Sequence, residues 1–350
     1  MNRKKKKLCV IGHFALGQQM YDGQTVKTKV ITKELEKSFG KNEIEKIDTC
    51  GGKKVLFKVV RDLFNATKYC QNIIIFPAQN GLKIIGPLCE VLAKLFKNTV
   101  HYVVIGGWLP EFLKSNKWLI PVIANYRGIY VESNKMKELL NQEGLFNVYI
   151  MPNCKDLPQL KESELTFFDN SPFKFCTFSR VMKEKGIEYA IEAVKTINEK
   201  SNKVICTLDI FGQIDSNQIK WFEDLRKDFP RYVKYKGIVP FNKSTEVLKD
   251  YYALLFPTYY EGEGFAGTLI DAFASGVPTI ASDWKYNSEI VKDNITGKII
   301  QSKDVNALVK AMEEAIENAD AWNEMKYKSL EYARNFLPER VISVLKSNFK

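Results

Sequence analysis

Short apolar runs rich in Val, Ile and Phe recur along the chain, and they are apolar throughout rather than alternating. They occupy residues 8–11, 73–76, 100–105, 128–132 and 148–151 in the first half, then 175–178, 204–211, 232–235, 253–256, 279–281 and 298–300 in the second. A strand covered on one face alternates; a strand covered on both reads as a continuous apolar run, so these segments predict parallel sheets. Between them, residues 25–39, 55–69, 88–96, 186–199, 268–275 and 305–319 carry apolar positions at helical spacing. This β–α alternation, in two series, predicts an α/β protein of two doubly wound domains.

The break between the series is expected near residues 152–172, where Pro152, Asn153, Pro158, Asn170, Ser171 and Pro172 supply turn and linker chemistry. We therefore expect domains at 1–165 and 166–325. Residues 326–350 are expected as C-terminal helices that pack back on the first domain. A chain of 350 residues exceeds the size at which one hydrophobic core keeps growing.

Charge changes the picture because it is uneven. Residues 1–150 hold 24 Lys and Arg against 12 Asp and Glu, while the remainder is near neutral with 28 against 29. An anionic partner should meet the first half. There Phe112, Leu113, Trp118 and Leu119 are interleaved with Lys114 and Lys117, and 55–69 carries Lys58, Arg61 and Lys68. Basic and apolar residues on amphipathic segments suit an anionic leaflet, so peripheral membrane contact through residues 1–150 is expected. No recognisable nucleic-acid-binding module is present, and no nucleic-acid partner is expected.

The seven cysteines are scattered without a CxxC pair, and there are two histidines, His13 and His101. That excludes a zinc site or a disulfide framework as an expectation and favours reduced thiols in the cytoplasm. The basic start is followed by an apolar run too short for a signal peptide, and no stretch approaches the ~20 apolar residues that span a bilayer. A cytoplasmic protein, soluble or peripheral at the inner face of the membrane, is the expectation.

Candidate chemistry concentrates in the segment FPTYYEGEGFAGTLIDAFASGVPTIASDWKYNSEIV, which begins at Phe256. A strand ends at Phe256, a loop with Gly262, Gly264 and Gly267 follows, and a helix starts near Gly267 or Thr268 and stops at Gly276. Free amides at a helix N-terminus bind anions. Glu261 and Glu263 in the same loop suit hydroxyls. A ligand with both a phosphate and hydroxyls, such as a nucleotide-sugar, accounts for the combination. Earlier, Arg180 and Lys185-Gly186 follow the strand at 175–178. Arg binds phosphate oxygens bidentately and Lys as a point charge, so the pair suits a diphosphate.

These residues resemble the glycosyltransferase family 4 (group 1) transferases, retaining enzymes of GT-B architecture. Their C-terminal half has an Arg and a Lys-Gly after its first strand, then E-x7-E within a stretch like EGFG…EAxAxGxPVI. The counterparts are Arg180, Lys185-Gly186, Glu263 to Gly267, and Asp271 to Pro278, with Ser288 to Val291 and Asp293 to Gly297 resembling later loops. The resemblance covers roughly residues 172–301. It implies two Rossmann-like domains facing across a cleft, the first on the acceptor side and the second binding the nucleotide-sugar donor. Arg180 and Lys185 would hold the diphosphate. Glu263 with the amides of Gly264, Phe265, Ala266, Gly267 and Thr268 would meet the sugar, Asp271 the ribose, and the base would stack near Val239. Asp271 stands where the family has Glu. His13 and Gly23 are candidate acceptor-side residues, and Gly106-Gly107-Trp108 stands where many members have a His. The acceptor implied is a glycan or lipid-linked sugar, in surface polysaccharide or glycolipid assembly. No metal or other cofactor is expected. A nucleotide-sugar epimerase or hydrolase, or a non-catalytic nucleotide-sugar-binding subunit, would use the same donor site.

Overall fold

The computed structural model describes residues 6–17, 23–158 and 160–350. Its backbone forms two compact units, Met1–Asp156 with Phe336–Lys350, and Leu157–Asn335.

The first unit is a parallel sheet of β1 (Lys6–Gly12), β2 (Ile44–Asp48), β3 (Cys70–Ile75), β4 (Thr99–Val103), β5 (Gly128–Val131) and β6 (Val148–Ile150), in the order β2-β1-β3-β4-β5-β6. Leu8, Cys9, Val10 and Ile11 are all fully buried, so consecutive side chains on both faces of β1 are covered, as its unbroken apolar run predicts. The sequence reading did not include β2. It reads IEKID, pairs only with β1 at the sheet edge, and buries only Ile44 and Ile47, so it lacks the apolar continuity of the interior strands.

The helix Gln79–Phe96 starts well before the expected residue 88. Gly81, Gly86 and Pro87 read as breakers, but Gly86 is held in place by Tyr126, whose hydroxyl donates to its carbonyl at 2.9 Å. Tertiary packing here overrides intrinsic propensity.

The second unit contains β7 (Phe173–Phe178), β8 (Cys206–Phe211), β9 (Val233–Gly237), β10 (Ala253–Phe256), β11 (Thr279–Ser282) and β12 (Gly297–Ile300). All run parallel in the order β12-β11-β10-β7-β8-β9. The chain builds from β7 toward one edge, then returns beside β7 with β10 and builds toward the other. The strand order therefore reverses between β7 and β10, and ligands of open α/β sheets bind outside the carboxyl ends at such a point.

Both boundaries differ from the sequence expectation of 165/166 and 325/326. Leu165 and Phe168 are buried in the second unit, and Leu165 lies so close to Gly276 that a Cβ there would come within 2.2 Å of it. Residues 157–165 thus belong with the second sheet. The helix Ala319–Ala333 also stays there: Trp322 Nε1 donates to the Tyr252 carbonyl at 3.1 Å, and Lys326 Nζ to that of Tyr251 at 2.9 Å. The return to the first unit starts at Phe336. Val341, Ile342 and Leu345 join the core of Leu8, Val10, Ile31 and Ile74. Phe349 packs edge-on to His101, and the Lys350 amide donates to Asn72 Oδ1.

Candidate functional site

Two glycines bring the strand-end loops of the second unit together. Gly186 has φ +73°, and a Cβ there would stand 2.2 Å from the Pro257 carbonyl oxygen. Gly212, after β8, has φ +136°, and its Cβ would stand 1.7 Å from the Ser179 carbonyl oxygen. Only glycine fits a left-handed position pressed against another backbone. Hydrogen bonds then join the loops. The Val181 amide donates to Gln213 O at 2.8 Å, the Tyr259 amide to Glu184 O at 2.8 Å, and Thr268 Oγ1 to Phe178 O. The loop after β7, with Arg180 and Lys185, and the loop after β10, with Glu263, thus meet at the point of strand reversal.

Lys185 Nζ lies 2.5 Å from Glu263 Oε2, with the side chains only 10% and 7% exposed. Thr258 Oγ1 lies 2.9 Å from the same oxygen. A buried ion pair is weak evidence for stability, because desolvating two charges offsets their attraction. Its place at the switch point suggests a role for it beyond stability.

Tyr260 organises the cations. Its ring lies 5.1 Å from Lys185 Nζ and 5.7 Å from the Arg180 guanidinium carbon. Its carbonyl accepts from Trp284 Nε1 at 2.8 Å and from the Glu263 amide at 3.1 Å. Gly262 leaves room for it, since a Cβ there would come within 2.8 Å of the tyrosine hydroxyl. Arg180 is half exposed and its Nη1 lies 3.3 Å from Asp215 Oδ2. Glu261, by contrast, is exposed and pairs with Lys285 at 2.6 Å, away from Glu263.

The helix Gly267–Ala274 begins with Ala266 as an extended N-cap and without a side-chain cap bond. Ala266, Gly267 and Thr268 are half-buried at its first turn, while Gly264 and Phe265 are buried. Asp271 is buried, and its Oδ1 accepts from Ser244 Oγ at 2.9 Å. Ser244 opens the short helix Ser244–Leu248, just beyond the loop after β9 where Val239 lies half-buried. Asp271 and the Val239 loop are thus joined through Ser244.

The first-unit candidates lie at the carboxyl edge of their own sheet. His13 follows β1, and its Nδ1 lies 2.8 Å from Thr25 Oγ1 in the first turns of the helix Gly23–Phe39. Trp108 follows β4, bonds Ile105 O through Nε1 at 2.9 Å, and is the N-cap of the helix Leu109–Lys114. β3 separates the two strands. The sequence reading missed Asp48, whose carboxylate accepts the amides of Phe14, Ala15, Leu16 and Cys50. Burial alone would raise its pKa, but the four amide bonds outweigh it and hold the carboxyl below the usual range.

Thr258, Tyr260, Ser244 and Asp215 were likewise not singled out. Thr258 and Tyr260 lie inside the informative segment, and a hydroxyl before a buried carboxylate is a readable signal. Asp215 and Ser244 come from other strand ends, and no spacing connects them to their partners. Among the described residues, no three of His, Cys, Asp and Glu come together as a metal site requires. The seven cysteines are unpaired thiols.

Two parallel, doubly wound α/β units, the second with paired cations and a carboxylate at its strand reversal, define the GT-B class. Residues 159–334 match the family model of the glycosyl transferases group 1, and the chain belongs to that family. Among curated relatives, the GtfA subunit of the UDP-N-acetylglucosamine–peptide N-acetylglucosaminyltransferase of Streptococcus agalactiae is 32% identical over 170 residues. That match covers 48% of this chain and 31% of the relative. The amylovoran biosynthesis glycosyltransferase AmsK of Erwinia amylovora is 24% identical over 143 residues, 40% of this chain and 35% of its own. The chain thus spans about a third of the length of these relatives. Anabaena HepE, solved in complex with UDP and glucose, shares the fold over 98% of both chains, with a TM-score of 0.71 at 12% identity. Sucrose-phosphate synthase from Thermosynechococcus elongatus does so over the same shares, with a TM-score of 0.73 at 14% identity.

Proposed function

We propose that this chain is a glycosyltransferase that moves a sugar, with retention of anomeric configuration, from a nucleoside-diphosphate sugar to a hydroxyl of a glycan or lipid-linked acceptor. The observation that carries the reading is the buried Lys185–Glu263 pair, set beside Arg180 and an uncapped helix N-terminus at the switch point. The diphosphate takes Arg180, Lys185 and the Gly267 and Thr268 amides. Both bonds to Glu263 fall on Oε2, so Oε1 is the acceptor offered to the sugar hydroxyls. The base lies near Val239. The ribose reaches Asp271 by taking the place of the Ser244 hydroxyl. His13, Gly23 and Trp108 are assigned to the acceptor side. HepE's complex with UDP and glucose supports a nucleoside diphosphate in this fold.

In the reaction, the acceptor oxygen bonds to the sugar's anomeric carbon as the bond from that carbon to the β-phosphate oxygen breaks. The acceptor proton passes to the departing diphosphate. The products are a glycoside and a free nucleoside diphosphate. Negative charge grows on the leaving phosphate, and preplaced cations and amides stabilise it there; losing one such donor costs about 3–4 kcal/mol. Drawn this way, the step takes its counter-charge from the chain itself, without a metal or other cofactor. The unpaired thiols suit the cytoplasm. The amylovoran relative supports surface polysaccharide assembly.

The test is turnover of a panel of nucleoside-diphosphate sugars by the purified chain, with and without glycan acceptors. Transfer should require acceptor and should fall roughly a hundredfold or more in Arg180→Ala and Glu263→Ala. Near-normal turnover in both variants would falsify the assignment. Donor conversion at full rate without acceptor would instead mark an epimerase or hydrolase. The relative named as a subunit favours one second reading, a non-catalytic partner. Transfer by the chain alone excludes it.

A further inference from the structure

Two neighbouring helices of the first unit each carry a second, outward-facing stripe. On the helix Leu56–Thr67, Val59, Leu63 and Ala66 are buried against the unit. The opposite side presents Phe57, Arg61 and Phe64, with Lys68 one turn beyond, at intervals of one helical turn. Phe57 is 84% exposed. On the helix Gln79–Phe96, Leu82, Ile85, Cys89 and Leu92 face inward, while Ile84, Leu88, Val91 and Leu95 repeat the same spacing outward. Val91 is 59% and Leu95 66% exposed. The two helices meet at one end, where the Phe64 and Phe96 rings pack edge-on with centroids 5.8 Å apart, Phe96 continuing the inward row of Ile85, Cys89 and Leu92. Lys68 Nζ lies 4.2 Å from the Phe64 ring. Isolated exposed apolar residues need no explanation, but a repeating stripe on each of two neighbouring helices does.

Charge indicates what covers them. Residues 56–97 hold six Lys and Arg against two acids, and both acids are neutralised within the surface, Asp62 by Arg61 and Glu90 by Lys94. The remaining cations, Lys58, Lys68, Lys83 and Lys97, accompany the apolar stripes. A protein partner with a hydrophobic face would not call for that excess. An anionic lipid leaflet supplies both components, acyl chains for the apolar side chains and phosphates for the cations. The segment around Phe112 to Leu119 contributes less than its sequence suggests, because Leu113 and Leu119 are buried and only Trp118 of its large apolar residues is well exposed.

We propose that the paired outer faces of Leu56–Thr67 and Gln79–Phe96 are a docking surface for an anionic membrane leaflet. The inference rests on this surface and not on the transfer reaction, so either can fail without the other. It places a lipid-borne acceptor within reach of the protein.

The experiment is co-sedimentation of the full chain with vesicles of phosphatidylcholine alone and of phosphatidylcholine with phosphatidylglycerol. Binding to the anionic vesicles should be roughly tenfold tighter and should weaken as salt rises. A combined Phe57→Ser, Val91→Ser, Leu95→Ser variant should lose roughly tenfold of it, as should Lys58→Glu with Lys68→Glu. All these side chains are exposed, so the unfolding temperature and pyrophosphate binding should stay as in the unsubstituted chain. Equal sedimentation with both kinds of vesicle overturns the proposal. So does a serine variant that binds like the unsubstituted chain. A third contrary result is a chain that ignores vesicles but is dimeric and becomes monomeric in the serine variant, which would make the surface a contact between copies.

Discussion

Tyr260 is held between two cations, and its ring can take that place because Gly262 beneath it has no side chain. Each cation also has a carboxylate of its own, Asp215 for Arg180 and Glu263 for Lys185. The negative face of the ring adds to those pairs and keeps both cations in place for a diphosphate. Tyr260→Leu should therefore weaken pyrophosphate binding roughly fivefold, by calorimetry, while Tyr260→Phe keeps it. Equal loss in both variants would assign the role to the hydroxyl instead. Gly262→Ala should behave like Tyr260→Leu. Glu263→Ala leaves Lys185 buried without its carboxylate, so urea unfolding should show a loss of about 3–5 kcal/mol. At this scale the sequence discloses Arg180, Lys185 and Glu263, because glycine spacing around them is distinctive. It conceals Tyr260, because a ring's function here depends on which way it folds over a neighbouring glycine. It conceals Ser244 and Asp215 for a related reason: their partners, Asp271 and Arg180, lie on other strand ends.

The loops between elements are fixed by backbone geometry rather than by side-chain packing. Gly186 is the sharpest case, left-handed and pressed on the Pro257 carbonyl. Gly186→Ala should cost more than about 1–3 kcal/mol, since strain at positive φ adds to a clash with backbone that cannot yield. Denaturant unfolding checks this, and an alanine variant as stable as the parent would contradict the geometry. Because Gly186 follows Lys185 directly, the same change should also displace the lysine and weaken donor binding. The interior strands were legible as continuous apolar runs, since covering on both faces demands them. The edge strand Ile44–Asp48 was not, since an edge has one neighbour and tolerates charges. The helix Gln79–Phe96 was half-legible, because Gly86 and Pro87 signal a break that packing against Tyr126 overrides.

Across the whole molecule, the two sheets explain why the chain reads as two series, and each unit carries its own response to pH. In the first, burial pushes His101 down to about 3 from 6.5, with the Arg127 charge adding to it. Between those values the unfolded chain binds the extra proton, so stability is full above 6.5 and falls as pH drops toward 3. His101→Gln should flatten that acid limb. In the second unit, burial lowers Lys326 to about 7 from 10.5. The unfolded chain again holds more protons on this group across that window, so Lys326 makes stability rise with pH from 7; above 9.0 the thiols of Cys176 and Cys206, pushed up by burial, oppose it, and Lys326→Met should remove the rise between those values. Separate fluorescence and calorimetric transitions distinguish the units, which need not unfold together. The domain break was legible in its turn residues and falls at 156/157, within the expected 152–172, but the exact boundaries were not. Leu165, Trp322 and Lys326 join the second unit through contacts that no local pattern announces. The central claim is that a diphosphate sits on Arg180 and Lys185 while its sugar is held by Glu263. Calorimetric titration of nucleoside diphosphates and of their sugar conjugates into the parent chain, Lys185→Met and Glu263→Gln tests it most directly. Lys185→Met should weaken both ligand classes roughly a hundredfold. Glu263→Gln should leave the free diphosphate nearly unchanged and remove the added affinity of the sugar. A nucleoside diphosphate that binds Lys185→Met as tightly as the parent would contradict the account.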